Sequence, residues 1–413
     1  MSNKKSKANN DYNSIQSYRV LGHNYSVSNS TFETLLNNND LVVGSTGSGK
    51  TRSYVMSLLD NISENMIVVD TKGLLYNKYI YKLKHKDYSV IRLNFNDYHK
   101  SVRYNPFDFI SYDEETQSYN MEEIETLAHT LCPDSLDKSD GNYWTENARL
   151  MLESMICYTL EALPKSERHI GSVIELFSNW NYDIYDNLFK EHSLSHPDSF
   201  AYSKYLMAQQ IRNAEKTSSC IKSFVSAALK PFIDKSSQYI FQGGSDFRFE
   251  DFSDQKTVLF VDVSDNDRSK DSVISIFYTQ LFQYLIRTAD KQKDGRLKYP
   301  VRVIMDDFAS GVKIPNLDGI INIIRSRNIC MSIIIQSLEQ LEGIYNKSIS
   351  LNIQNACDHV IFLGNTRDND IFARMADMDV NDFIDAIGLY NEYVYERGHS
   401  HGVIVPKYNF NNH

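Results

Sequence analysis

The sequence predicts an α/β fold: one mostly parallel sheet interrupted by an all-α insertion. Three observations predict it. Short apolar runs alternate with helical patterns near both ends of the chain. The middle of the chain keeps helical spacing and loses strand-like runs. A glycine-rich turn follows the first apolar run and opens a helical pattern.

Taken in order, the first residues (MSNKKSKANNDYNS) carry lysines with no apolar core behind them, so they read as a short disordered tail and not a secretory leader. Asn39 to Val43 reads as a strand, Tyr54 to Ile62 as a helix, and Met66 to Asp70 and Tyr88 to Leu93 as two more strands. From about Asp113 the pattern changes. Trp144, Ala148, Met151, Met155 and Ile156 recur at helical spacing, as do Ile221, Val225 and Leu229, and such stripes read as helix core. Strand patterns return at Thr257 to Val263, Val301 to Met305, Cys330 to Ile335 and His359 to Leu363. Glu392 to Glu396 with Gly402 to Val405 reads as a terminal hairpin near the sheet edge. The expected division is a tail and lead-in over 1–36, a first nucleotide-domain part over 37–112, an all-α domain over 113–240, and a second nucleotide-domain part over 241–413.

Composition narrows the function classes. The chain has 413 residues, 42% hydrophobic and 23% charged, which is ordinary for a soluble globular protein. No run approaches the roughly 18 apolar residues of a membrane helix. A net charge of -10 excludes a globally basic DNA binder but allows a local basic channel. Residues 72–103 hold eight Lys/Arg against two Asp/Glu, and residues 113–146 hold ten Asp/Glu against one Lys. The acidic stretch argues against that face gripping DNA and suits a protein or basic partner. Five scattered cysteines, with no C-x-x-C pair, argue against a zinc site and fit a reducing cytoplasm. His399 and His401 read as a solvated turn.

The chemistry begins at Gly44-Ser45-Thr46-Gly47-Ser48-Gly49-Lys50-Thr51, which fits G-x-x-x-x-G-K-[ST]. Glycines let successive N–H groups converge on a phosphate, and the following helix adds its positive end. Lys50 is placed to reach the β- and γ-phosphates of ATP, and the Thr51 hydroxyl to bind Mg²⁺. Hydrolysis needs a second carboxylate strand. Val301 to Met305 runs into Asp306-Asp307, with Asp306 a candidate for Mg²⁺ and Asp307 for orienting or deprotonating the attacking water. Asp70 and Asp262 also end apolar runs and compete for the metal role on spacing alone.

Several strings now resemble one family. NNNDLVVGSTGSGKTR, IVVDTKGLLY, VIRLNFNDYHKSVRYNPF and IMDDFASGVKIPNLDGIINIIRSRNICMSIIIQSLEQLEGIY resemble, in order, elements of the TraG/TraD-type coupling ATPases of conjugation and type IV secretion. These belong to the FtsK/HerA group of RecA-like hexameric motors. The resemblance runs from about Asn37 to the C-terminus. It implies that Arg52 follows the phosphate loop as part of the nucleotide site. It implies that Gln336 senses the γ-phosphate, and that Arg325 is a finger completing a neighbouring subunit's site, a task suited to a planar, always charged guanidinium. It further implies ATP and Mg²⁺ as cofactors and a homo-oligomer, expected to be a hexamer. The implied partners are DNA, expected to be single-stranded and bound without sequence preference, relaxase or relaxosome proteins, and a type IV secretion channel or a separate membrane anchor.

Two departures stand out. The family usually begins with two membrane helices, and this sequence shows none, so the expectation is a cytoplasmic protein held at the inner face of the membrane through a partner. Many members carry Asp-Glu where this chain has Asp306-Asp307, and the shorter side chain predicts slower hydrolysis. Two other uses fit the same residues: an FtsK/HerA-like DNA motor in processing or defence, and an adaptor switched by ATP without turnover.

Overall fold

The computed structural model describes residues 17–134, 141–212, 214–264, 266–306, 312–364 and 366–408. The chain opens with an antiparallel hairpin of β1 (Tyr18–Gly22) and β2 (Tyr25–Ser28). Next come β3 (Asp40–Val43), β4 (Asn65–Val69) and β5 (Ser89–Asn94), with a two-residue pairing of β6 (Tyr112–Asp113) and β7 (Ser118–Tyr119) after them. The later strands are β8 (Thr257–Asp262), β9 (Val301–Met305), β10 (Ile329–Ile335), β11 (His359–Phe362), β12 (Asn391–Glu396) and β13 (Val403–Pro406).

Nine of these form one sheet in the order β13-β12-β11-β3-β10-β9-β4-β8-β5. Every pairing is parallel except β11 with β12 and β12 with β13. The fold is the mostly parallel α/β arrangement that the sequence predicts, with the terminal hairpin at one edge. β3, β4, β8, β9, β10 and β11 are buried along their whole length, which is why they read as continuous apolar runs without alternation.

Successive side chains leave the sheet on opposite faces. Leu41, Val43, Ile67, Val69 and Leu93 face a large core that continues through helix Asp271–Lys291 into the helices between Met121 and Phe241. Val42, Met66, Val68 and Phe260 face a smaller core closed by Tyr54, Leu58, Leu75 and Tyr79. In the helical block, Gly141–Ala162 is the central rod: Ala148, Leu152, Met155, Ile156 and Cys157 are all fully buried against helices Phe200–Ala208 and Glu215–Leu229. The period-3.6 stripe read from the sequence is this buried face.

The amino-terminal edge of the sheet holds a set of buried charges. Arg19 of β1 grips Asp40, with Nε–Oδ2 and Nη2–Oδ1 both 3.0 Å. Arg302 of β9 donates to Asp40 at 3.1 Å and to Glu64 at 2.5 Å. Tyr54 adds its hydroxyl to Asp40, and Arg19 Nη2 lies 2.8 Å from His359 Nδ1. Arg19, Asp40, Glu64, Arg302 and His359 are each 2% exposed or less. The hairpin that carries Arg19 lies where the sequence suggested only a lead-in. Its strands are short, and a partner 21 residues away buries its arginine.

Candidate nucleotide-binding site

The carboxyl-terminal edge of the sheet collects the motif residues. β3 delivers the chain to Gly44, whose N–H donates to Ile335 O of β10 at 3.2 Å, so the loop starts beside the end of that strand. A Cβ on Gly44 would lie 2.9 Å from Leu363 Cβ, so only glycine fits there. Gly47 and Gly49 have φ of +83° and +97°, a region other residues adopt only with strain. Ser53 N–H reaches back to Gly49 O at 2.6 Å and starts the following helix. That helix opens with a wide π-type stretch over Lys50–Val55 and tightens to α-helix over Met56–Asp60. Lys50 Nζ donates to Gly44 O at 2.8 Å and Ser45 O at 3.2 Å, spanning the loop.

The two motifs meet at Thr51 and Asp306. Thr51 Oγ1 lies 2.6 Å from Asp306 Oδ2, across 255 residues of sequence. The topology makes this possible because β10 alone separates β3 from β9. A hydroxyl and a carboxylate oxygen at that separation form a donor set suited to a hard divalent cation. The other two candidate carboxylates are engaged elsewhere. Asp70 accepts from Leu74 N at 3.1 Å and Tyr76 N at 2.9 Å, capping helix Leu74–Lys84. Asp262 is clamped by Arg92, with Nε at 3.0 Å and Nη2 at 2.5 Å. Burial nevertheless raises the Asp262 carboxyl above its ordinary value, against the pull of Arg92.

Gln336 follows β10 directly, one residue past the carbonyl that receives Gly44, and its own N–H is taken by Gln340 Oε1 at 2.9 Å. Arg52 is exposed on the first turn after the loop. Arg325 lies elsewhere. It sits in a short 3₁₀ turn, Arg325–Arg327, ahead of β10, and donates to Leu35 O at 2.5 Å on the amino-terminal side of the sheet. It is exposed there and stands away from its own chain's loop. Arg327 instead forms a two-pronged pair with Asp290, at 2.8 and 3.0 Å. Asp307 lies outside the described residues. Nothing in the sequence pattern marks Lys407, whose side chain reaches Ser48 of the loop from 359 residues away.

No helix among the described residues is long and apolar enough to cross a membrane. Solved structures of similar architecture include the bacterial conjugative coupling protein TrwBΔN70, at TM-score 0.65 and 17% identity over 91% of this chain and 86% of that one. Plasmid coupling protein TrwB has also been solved with the non-hydrolysable ATP analogue ADPNP, and that structure matches at TM-score 0.64 and 16% identity over 91% and 86%. VirB4 of Thermoanaerobacter pseudethanolicus matches at TM-score 0.57 and 12% identity over 96% and 97%. A search of curated proteins finds no significant match. The family model for type IV secretory system conjugative DNA transfer matches residues 2–376. With that match over nearly the whole length, the chain belongs to the conjugative DNA-transfer family of type IV secretion.

Proposed function

We propose that this chain is the ATP-hydrolysing coupling protein of a conjugative system, a ring-forming motor that passes single-stranded DNA or a relaxase–DNA conjugate to a secretion channel. The observation that carries the hydrolytic reading is the 2.6 Å contact of Thr51 with Asp306. It joins the phosphate loop to the second carboxylate strand. Structures of the similar TrwB with ADPNP and with ADP and Mg²⁺ support the choice of cofactors.

The residues divide the work. The N–H groups of Gly44 to Thr51 and the helix start receive the phosphates. Lys50 leaves its loop carbonyls for the β- and γ-phosphates. Thr51 and Asp306 would hold Mg²⁺, which would neutralise charge on the phosphate oxygens. Asp307 orients the attacking water and takes its proton, and Gln336 reports the γ-phosphate to β10. Arg325, exposed and remote from its own loop, is the group a neighbouring subunit's nucleotide would receive. The membrane is reached through a partner.

The test is ATP turnover of the assembled protein with and without single- and double-stranded DNA, with Lys50→Ala as control. The expected result is Mg²⁺-dependent turnover that Lys50→Ala abolishes and that single-stranded DNA raises several-fold. Turnover indifferent to both DNAs in an assembled ring would overturn translocation. Nucleotide binding without turnover would leave an ATP-switched adaptor.

A further inference from the structure

Lys407 follows β13, at the far end of the chain from the phosphate loop, yet its ammonium group lies against that loop. Nζ donates to Ser48 O, Leu363 O and Leu389 O, each at 3.1 Å. An ammonium has three protons, and here three backbone carbonyls take them. The three acceptors belong to separate pieces: the phosphate loop, the residue after β11, and the turn before β12. The Lys407 backbone is fixed as well, its N–H donating to Tyr390 O at 2.7 Å. Leu363 is in turn tied to β3, since its N–H donates to Val43 O at 2.8 Å just before the loop begins. The lysine therefore sits on a rigid mount and holds one loop carbonyl.

The carbonyl it holds has a particular consequence. The Ser48–Gly49 peptide is flat and trans, so its C=O and N–H point in opposite directions. A cation that fixes the Ser48 carbonyl on one side fixes the Gly49 N–H on the other. Gly49, at φ +97°, has no side chain to hold that peptide in place by packing. Its orientation depends on hydrogen bonds, and Lys407 supplies one from outside the motif. Buried Glu392 stands nearby in β12. Burial pushes its carboxyl well above the ordinary range, against the pull of Lys407, and burial also lowers the Lys407 ammonium below its ordinary value.

We propose that Lys407 is a positioning residue of the nucleotide site, through which the C-terminal hairpin sets the orientation of the Ser48–Gly49 peptide toward phosphate. This rests on the reading of Gly44 to Thr51 as a nucleotide loop. The alternative role is a pin that holds down the C-terminal strand and nothing more.

The two roles separate in a titration with a fluorescent ADP or ATP analogue, run on the full chain well below its melting temperature. The proteins compared are the wild type, Lys50→Ala, Lys407→Met and Lys407→Arg, each with its thermal midpoint. Lys407→Met is expected to weaken nucleotide binding by about tenfold. Lys407→Arg, which keeps the charge and several donors, is expected to stay within about threefold of the wild type. A Lys407→Met protein that melts earlier but binds as the wild type does would overturn the proposal and leave the pin. Equal weakening in Lys407→Met and Lys407→Arg would also overturn it. A folded wild type that binds no nucleotide would instead remove the loop reading, which the Lys50→Ala arm checks separately.

Discussion

The two edges of the sheet carry similar side chains and use them in opposite ways. At the carboxyl-terminal edge, Lys50, Thr51, Asp306 and Gln336 are all partly open to solvent. At the amino-terminal edge, Arg19, Asp40, Glu64, Arg302 and His359 are sealed. Each sealed charge faces an opposite charge within the cluster or, for His359, a guanidinium nitrogen. Burial would raise the Asp40 carboxyl, but Arg19 and Arg302, with a hydrogen bond from Tyr54, hold it below its ordinary value. A charge that is buried and mutually satisfied is costly to break and is not free to meet a ligand. A charge held at a rim by backbone geometry is free to change partners. One helix links the edges: Lys50 and Thr51 lie at its start, and Tyr54, on its next turn, reaches Asp40.

Substitutions at either edge sharpen this contrast. The largest effect is expected for Asp306→Asn, which keeps the shape and removes the charge. Turnover should fall by roughly a hundredfold or more, as when a charge-stabilising group is lost, while the thermal midpoint stays near that of the wild type. A large drop in the midpoint would make Asp306 a structural residue like those of the other edge. Next is Arg302→Met, which strands Glu64 in a dry site and leaves Asp40 to Arg19 and Tyr54. It should destabilise the fold by about 3–5 kcal/mol in chemical denaturation, since breaking a buried pair leaves charge uncompensated. Nucleotide affinity of the folded fraction should hold, and its loss would show that the sealed edge shapes the site.

A further effect is one of pH. His359 is pushed down to about 3, first by burial and then by Arg19. Its unfolded counterpart takes a proton near 6.5, so between 6.5 and 3 the unfolded chain binds the extra proton. Stability is therefore full above about 6.5 and is lost as the pH falls toward 3, by up to about 1.4 kcal/mol per unit. His359→Gln, which keeps an acceptor for Arg19 and cannot titrate, should have a shallower acid slope. An unchanged slope would mean that other groups carry the acid sensitivity.

Some of this was legible in the sequence, for identifiable reasons. The buried strands are unbroken apolar runs, and the phosphate loop needs glycines at positions where φ is positive, so both leave a local mark. Three carboxylates competed for the metal role on spacing. The contacts that distinguish them, Asp70 with a helix start and Asp262 with Arg92, are tertiary and leave no periodic trace. Arg302 did leave one, as a charge inside the run VRVIM, and a charge there signals a buried partner. Asp40, at the head of Asp-Leu-Val-Val, is the same signal from the other side. Lys407 and Arg19 left none, because each is an ordinary polar-segment residue whose role comes from where distant strands bring it.

The strand order also governs how the chain comes to be folded. Both neighbours of β3 are made late: β10 begins at Ile329 and β11 at His359. A nascent chain displays the phosphate loop with no strand on either side of it until β10 emerges. Pairings so distant in sequence close slowly, because the entropy of a long loop is lost before the contacts that offset it can form. The loop thus gains its flanking strands only after β10 and β11 have emerged, and a chain broken off ahead of β10 carries the whole motif without a site to put it in.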